Sequence, residues 1–245
     1  MPTTVAKVNV HVYLRRAVTA GTNELPATAE GLIRGRRATR AFLPDPVPDD
    51  TIMAIFDLAR SAPSNSNTQP WQVEVASGPA RVKLAQAILA ADRAGERTVD
   101  FPPSENNYTP VHASRRKAWG ASFYAALGIG PDDQDLLAEY NAKSLNFYGA
   151  PRVALLYAPD SGDPRLTADV GMYAQTLLLA MSAYGVSSCP QGILSFYADT
   201  IRRTLGVTGG KLLVGISFGY ADPTAAINRI DVGREPLTET TRFHY

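Results

Sequence analysis

Apolar residues recur along this chain with two periods, which predict both helices and short strands. Isoleucines, a leucine and a phenylalanine spaced three to four residues apart follow the acidic start at 47–50, so a helix should begin there and end before Pro63. Alternation predicts a strand at 72–77. Further helices are expected at 28–35, 80–91, 111–127, 132–147 and 197–205, and further strands at 153–157, just before Ser188, and at 211–220.

One long apolar stretch, VGMYAQTLLLAMSAYGV at 170–186, is free of charge and close to membrane-spanning length. Asp169 abuts it, and Gln175, Ser182 and two glycines interrupt it, so the roughly 20 strongly apolar residues of a membrane span are not there. A helix that is apolar on nearly all faces is expected to be buried in a core or in an oligomer interface.

Few short strands separated by helices indicate an α+β or α/β layer structure, in which helices cover the faces of a sheet. A length of 245 residues suits one domain with additions. We therefore divide the chain into an amino-terminal arm at 1–26, a single domain at 27–226 with a helical insertion or lid at about 97–148, and a carboxyl-terminal extension at 227–245.

Composition argues against several classes of function. The net charge of +1 gives no electrostatic footprint for nucleic acid or an anionic membrane, so small molecules and a second copy of the chain are the expected partners. The three histidines are scattered without metal-ligand spacing, and no metal site is expected. The single cysteine, Cys189, fits a reducing compartment, and the first residues lack a signal-peptide pattern, so we expect a cytoplasmic protein.

The segment RRATR concentrates three guanidinium groups and a hydroxyl within five residues, at Arg36, Arg37, Thr39 and Arg40. Arginine presents a rigid fork that matches phosphate oxygens, so an anion is a natural reason to hold like charges this close. Taken alone, the segment fits a solvated basic turn equally well.

A second polar segment, APSNSNTQPW at 62–71, carries amide and hydroxyl side chains between two prolines. Such a loop offers donors and acceptors on a stiffened backbone, which suits the polar edge of a flat heterocycle. On its own it fits a hydrogen-bonded turn as well.

In combination, these segments resemble one family. The order RRxxRxF, PVP with a helix, and APSxxNxQPW before a strand resembles the amino-terminal half of the FMN-dependent nitroreductases. GAPRVALLY, a long apolar helix ending in YGV, SCPQG and a GxxFGYAD strand resemble the rest, from about residue 34 to 236. The overall pattern and the length of the insertion are similar to the branch that reduces nitrobenzoates and nitrofurans.

The resemblance implies an α+β fold, namely a three-layer α/β/α sandwich with a mixed central sheet covered by helices. It also implies an intertwined homodimer whose interface buries the long apolar helix. Each active site would then be built from both chains, so that a monomer would have no complete site.

The resemblance also assigns residues to FMN. Arg36, Arg37 and Arg40 would grip the ribityl phosphate together with Arg234, and Thr39 would supply a hydroxyl because Ala38 replaces a serine that is frequent in the family. From the opposite subunit, the flavin would meet Pro63, Ser64, Asn65 and Asn67.

Pro190, Gln191 and Gly192 match the family loop beside the flavin, where backbone amides lie near the reactive nitrogen N5. Gln191 replaces the usual glutamate and so removes a possible negative charge next to the redox centre, while the backbone role of Gly192 is unaffected. Cys189 has no recognisable base nearby, and we interpret it as a buried packing residue.

The activity implied is electron transfer from NADH or NADPH through FMN to a nitroaromatic or similar flat, electron-poor acceptor, with ping-pong kinetics and no obligatory acid–base side chain. The insertion should select the acceptor, with Tyr108, Arg115, Arg116 and Trp119 as contacts; packing within the insertion is an equally good explanation for them. Other possibilities are a quinone or enone reductase, a reductive dehalogenase, or a flavin-binding or flavin-degrading protein without this turnover.

Overall fold

The computed structural model describes residues 29–104 and 107–245, and the sheet in these residues has four strands. They are β1 (Gln72–Ser77), β2 (Arg152–Ala158), β3 (Ser187–Gln191) and β4 (Lys211–Gly219), in the order β1-β2-β4-β3. The strands expected at 72–77, 153–157 and 211–220 are confirmed. The predicted arm at 1–26 lies outside the described residues.

Two details of the sheet correct the sequence prediction. The segment expected to form a loop after a strand is itself most of β3, and Pro190 is tolerated there because β3 is an edge strand. A mixed sheet is expected, but the four strands pair antiparallel. Within the described residues, parallel pairing is limited to the single bridges Ala38–Ser188 and Thr98–Tyr197, which involve segments too short to form strands.

Eight α-helices occur in the described residues, and all those predicted are among them. They are α1 (Ala29–Gly35), α2 (Asp49–Ala59), α3 (Gly78–Arg93), α4 (Pro110–Ala126), α5 (Gln134–Leu145), α6 (Pro164–Ala183), α7 (Ala198–Leu205) and α8 (Leu237–Thr240). Proline lies in the first turn of α3, α4 and α6, where its missing N–H interrupts no helical hydrogen bond.

Strand β2 lies at the centre of the molecule and is buried on both faces. Its even-numbered residues, such as Leu156, pack with α2 and α6, and its odd-numbered residues, such as Leu155, pack with α3 and α7. Because side chains alternate between the two faces of a strand, burial on both faces requires the continuous apolar run seen in the sequence. The three-layer α/β/α arrangement is thereby confirmed.

The long helix α6 begins six residues earlier than its apolar run. Asp163 caps it by accepting a hydrogen bond from the backbone N–H of Arg165 at 2.8 Å, and Pro164 starts the first turn. No helix in the described part of the chain is long and apolar enough to cross a membrane.

The predicted insertion at 97–148 is tied to the core at its beginning. The carboxylate of Asp100 receives two hydrogen bonds from Arg202 on α7, at 2.7 and 2.9 Å, and one from the backbone N–H of Leu212 on β4 at 2.7 Å. Burial opposes ionisation of Asp100, but these hydrogen bonds outweigh it and lower the pKa of the carboxyl. The helices α4 and α5 follow this anchor. That the segment acts as a lid stays a prediction.

Candidate functional site

The RRATR segment lies across one end of the sheet, beside the two strands that carry the later motifs. The N–H of Thr39 donates to the carbonyl of Ser188 on β3 at 2.9 Å, and the N–H of Leu43 donates to the carbonyl of Tyr220, just after β4, at 2.8 Å. Two motifs that lie about 150 residues apart in sequence are thus joined by backbone hydrogen bonds.

Asn228 fixes this arrangement and was not identified from the sequence. Its Oδ1 accepts from the N–H groups of Arg40 at 2.7 Å and Ala41 at 3.2 Å, and its Nδ2 donates to the carbonyls of Ala41 at 2.8 Å and Asp222 at 3.0 Å. All these partners are backbone atoms, so the pattern of side chains in the sequence does not indicate them. Asn228 therefore sets the path of the chain at Arg40 from within the predicted carboxyl-terminal extension.

Three of the predicted phosphate-binding arginines come together. Arg36 is half-buried, and burial together with the positive charges of Arg234 and Arg37 lowers the pKa of its guanidinium. Arg36 and Arg37 line a cavity of about 740 Å³, together with Thr39, Ser188, Tyr220 and residues of the α1, α2 and α6 ends. A half-buried arginine with two exposed arginines close by, at a cavity of ligand size, suits an anionic group such as a phosphate.

Arg40 lines a different cavity from Arg36 and Arg37. Its guanidinium carbon lies 4.7 Å from the ring centroid of Phe123 on α4, and the side chain lines a second cavity of about 590 Å³. Tyr140 and Tyr148 also line this cavity; their hydroxyls lie 3.0 Å apart, and burial raises the pKa of both. Arg40 thus lines the second cavity, whereas Arg36 and Arg37 line the first, and its place at the phosphate stays a prediction.

At the end of β3, exposed and buried residues are clearly divided. Pro190 and Gly192 are exposed, and a side chain added at Gly192 would meet nothing within 4 Å. The side chains of Cys189 and Gln191 point into the protein, where they are 2% and 4% exposed. The backbone at 190–192 is therefore the part of the SCPQG motif that is open to a ligand.

The second polar motif forms a strained loop that is attached to α6. The N–H of Asn65 donates to the buried carboxylate of Asp169 at 3.0 Å, and the hydroxyl of Ser64 accepts from the N–H of Gln69 at 3.0 Å. Asn67 has a φ of 56° and Gln69 one of 47°. Such left-handed backbone in residues other than glycine costs stability and occurs preferentially at functional sites.

Asp169 is a second residue whose role the sequence reading missed. It is 3% exposed and holds the Pro63–Asn67 loop to α6. The signal that could have revealed it is a single acidic residue directly before a charge-free helical stretch, because a buried charge needs a specific partner.

The loop and the arginine cavity lie toward opposite ends of α6. Asp169 holds the loop near the amino end of the helix, whereas Ser182 near the carboxyl end lines the arginine cavity. A helix rises 1.5 Å per residue, so these two positions are about 20 Å apart. Neither cavity is lined by Pro63, Ser64, Asn65 or Asn67, so one chain does not bring the two motifs together at either.

The residues predicted to contact the acceptor all have partners within the chain. Arg115 lies 3.6 Å from the carboxylate of Glu235, and the Arg116 guanidinium lies 5.2 Å from the Tyr108 ring centroid. Trp119 stacks on Phe123 with ring centroids 5.2 Å apart, and Phe123 in turn contacts Arg40. Trp119 is connected to the second cavity through Phe123 and Arg40. A role of these residues in acceptor binding stays a prediction.

The chain is similar to proteins of one family. A model described as Nitroreductase family matches residues 33–220. Nitroreductase NfnB from Mycolicibacterium smegmatis is 57% identical over 225 residues, 92% of this chain and 96% of the relative. A 4-nitrobenzoate reductase from Pseudomonas putida is 33% identical over 218 residues, 87% and 94% of the two chains. The crystal structure of the FMN-dependent nitroreductase NfnB from Mycobacterium smegmatis in complex with NADPH has a TM-score of 0.87 at 58% identity, covering 89% of this chain and 98% of that chain.

We expect Cys189 to be unreactive in the folded protein. Burial, partly offset by Arg40 and Arg36, raises the pKa of its thiol to about 11, so that at pH 8 only about one thiol in a thousand is a thiolate. Labelling with a chromogenic disulfide reagent at pH 8 should be at least about a hundredfold slower than after unfolding in guanidinium chloride, where the thiol pKa returns to about 8.5. Equal labelling rates in the two states would show that the thiol is not buried.

Proposed function

Because this chain belongs to the nitroreductase family, as its motifs predicted, we propose that it is an FMN-dependent oxidoreductase that transfers electrons from NADPH to nitroaromatic and similar flat, electron-poor acceptors. The observation that carries this function is the group of Arg36, Arg37 and Arg234 beside a cavity of about 740 Å³. The relatives are described as an FMN-dependent nitroreductase in complex with NADPH and as a 4-nitrobenzoate reductase, which supports the choice of donor and acceptor. Since pyridine nucleotides are kept inside the cell, we also propose a cytoplasmic location.

The arrangement of donors fits FMN. Arg36, Arg37 and Arg234 would hold the phosphate, and the open backbone at 190–192 would lie against the ring system. Arg40, which lines the second cavity, is a further predicted contact of the phosphate. When bound, FMN supplies the two-electron redox chemistry that no side chain of the protein offers.

We further propose that the site is completed in a homodimer by the Pro63–Asn67 loop of the second chain. In one chain, the loop and the arginine cavity lie about 20 Å apart along α6. A twofold axis that is perpendicular to α6 and passes beside its middle places two copies of α6 antiparallel. The amino end of one copy then lies beside the carboxyl end of the other, which brings each loop to the opposite cavity. Gly171, Met172 and Gln175 leave a stripe of α6 uncovered, and Met53 on the adjacent α2 is 70% exposed, which supports a second copy on this face.

The activity is tested directly on the purified protein. We expect a flavin absorption spectrum, release of FMN on heating, loss of the flavin absorbance when NADPH is added without air, and its return with 4-nitrobenzoate. Initial rates at several donor and acceptor concentrations should give parallel double-reciprocal lines. A panel of nitroaromatic, quinone and halogenated acceptors ranks the alternatives. Failure to bind FMN even after reconstitution would exclude this function.

The phosphate contact predicts that Arg36→Gln weakens FMN binding and leaves riboflavin binding unchanged. A hydrogen bond to a charged group contributes about 1.5–3 kcal/mol, so the affinity for FMN should fall by about 10- to 150-fold. Riboflavin lacks the phosphate, and its affinity for the apoprotein, measured by quenching of flavin fluorescence, should stay the same. Arg34→Gln is the matched control because Arg34 is exposed and pairs with Glu30 on α1. Equal losses for both flavins would place the phosphate elsewhere.

The two-chain site predicts complementation between variants. Arg36→Gln damages the phosphate side and Asn65→Ala the loop side, so a mixed dimer has one intact and one doubly altered site. If co-expressed chains pair at random, tightly bound FMN should recover to about a quarter of the wild-type content. Co-expression of Arg36→Gln with Arg234→Gln serves as the control, because no pairing of these chains restores a site. Absence of recovery in the first pair would mean that each site is built from one chain.

A further inference from the structure

The side chain of Gln191 joins three parts of the fold. Its Nε2 donates to the carbonyl oxygen of Ser144 at 2.7 Å and to the Ser144 hydroxyl at 3.1 Å, and its Oε1 accepts a hydrogen bond from the hydroxyl of Ser217. Ser217 lies on β4 and Ser144 in the last turn of α5. A single buried amide thus ties the edge strand β3 to its neighbour and to the end of the 97–148 insertion.

The contact continues from Ser144 toward the second cavity. The Ser144 side chain lies close enough to Tyr148 to act on the pKa of its phenol, and the Tyr148 hydroxyl lies 3.0 Å from that of Tyr140. Tyr148 and Tyr140 line the second cavity beside Arg40. Polar side chains therefore connect Gln191 with the part of the insertion that lines the second cavity. Gln191 itself lies between the exposed residues Pro190 and Gly192.

We infer that Gln191 is a positioning residue: its amide fixes the end of the acceptor-selecting insertion relative to the backbone at 190–192. This inference rests on the proposed function, which sets the flavin against the backbone at 190–192, and on the prediction that the insertion selects the acceptor. The role belongs to the side chain and is separate from any contact that the backbone of residue 191 makes with the cofactor.

An amide is required because this position must donate and accept at once. The carbonyl oxygen of Ser144 can only accept a hydrogen bond, so the group that faces it must be a donor. The other end of the amide accepts the hydrogen bond from the Ser217 hydroxyl. A glutamate of the same shape, when ionised, would put a carboxylate oxygen next to the Ser144 carbonyl with no proton between them. A protonated glutamate would restore the donor. A glutamate is therefore not interchangeable with the glutamine at this position.

The groups near the Gln191 contact decide whether a change of pH would affect the wild-type protein. The titratable or charged groups around these contacts include Cys189 on β3, the tyrosines Tyr148, Tyr140 and Tyr124 from the insertion, the cations Arg36 and Arg40, and the ion pair of Lys143 with Glu139 at the cavity. Burial raises the pKa of Cys189, Tyr148 and Tyr140, so none of these groups titrates between pH 5 and 8. The wild-type contact should consequently be independent of pH in this range.

The test compares Gln191→Glu, Gln191→Met and wild type as full-length proteins with their flavin. The facing carbonyl raises the folded-state pKa of the introduced glutamate above its unfolded value, so its stabilising contact is present at low pH and lost as pH rises through the folded-state pKa. Relative to wild type, the Tm of Gln191→Glu should be lower by about 3–6 °C at pH 8, and the difference should shrink at pH 5 as the pH approaches the unfolded pKa of about 4.3. Gln191→Met keeps the volume but has no donor, so its Tm should be lowered equally at both pH values. Gln86→Glu, on the exposed face of α3, is the charge control and should show neither effect.

Two readouts report on position as well as stability. Amide hydrogen exchange at 134–149, compared with wild type at each pH, should accelerate in Gln191→Glu at pH 8 and return to the wild-type rate at pH 5. The KM for 4-nitrobenzoate should rise several-fold at pH 8 in this variant and recover at pH 5. If wild type binds no FMN or reduces no acceptor, the proposed function is wrong. The hydrogen-exchange result still tests whether the Gln191 side chain holds the end of the insertion. A Gln191→Glu protein that matches wild type, or matches Gln191→Met, at both pH values would overturn the inference.

Discussion

The positive charges of Arg36, Arg37 and Arg234 repel one another, and the rest of the site depends on how the fold holds them together. Burial and neighbouring cations lower the pKa of Arg36, which means that the folded chain carries an electrostatic cost at this point. Backbone hydrogen bonds from the RRATR segment to β3 and to the end of β4 hold that segment in place. An anion bound between the guanidinium groups would relieve the repulsion, so that cofactor binding and stability of the site are linked.

Three polar side chains around the site, two of them buried and one half-buried, each fix a stretch of backbone. Asn228, Asp169 and Gln191 each use a side chain to fix a distant stretch of backbone. The stretches they fix carry the arginines, the Pro63–Asn67 loop and the end of the insertion. A flat cofactor needs walls whose positions are fixed before it binds, and hydrogen-bonded buried side chains provide this more rigidly than exposed ones.

The predicted elements that matched the structure are those whose signal is local. The strand at Gln72–Ser77 and the helix at Asp49–Ala59 follow from periodicity and start signals alone, and the two polar motifs follow from composition. Where the prediction was wrong or silent, the deciding partner is far away in sequence. Strand β3 contains a proline and forms because β4 pairs with it, the Arg40 guanidinium lies over Phe123 on α4, and Asn228 bonds to backbone 187 and 188 residues distant. The family resemblance supplied Arg234, which no local pattern would have singled out.

The helix α6 fixes the distance between two parts of the site, because the Pro63–Asn67 loop is attached at one end and the arginine cavity lies at the other. Adding or deleting one residue between Asp169 and Ser182 would rotate everything beyond it by about 100° and shift it by about 1.5 Å, so that apolar side chains would leave the core and the two attachment points would lose their register. We therefore expect changes of length in homologous chains to fall outside α6. The turn between α4 and α5 can lengthen or shorten without moving either attachment point, and new acceptor preferences can evolve there while the frame of the site stays constant.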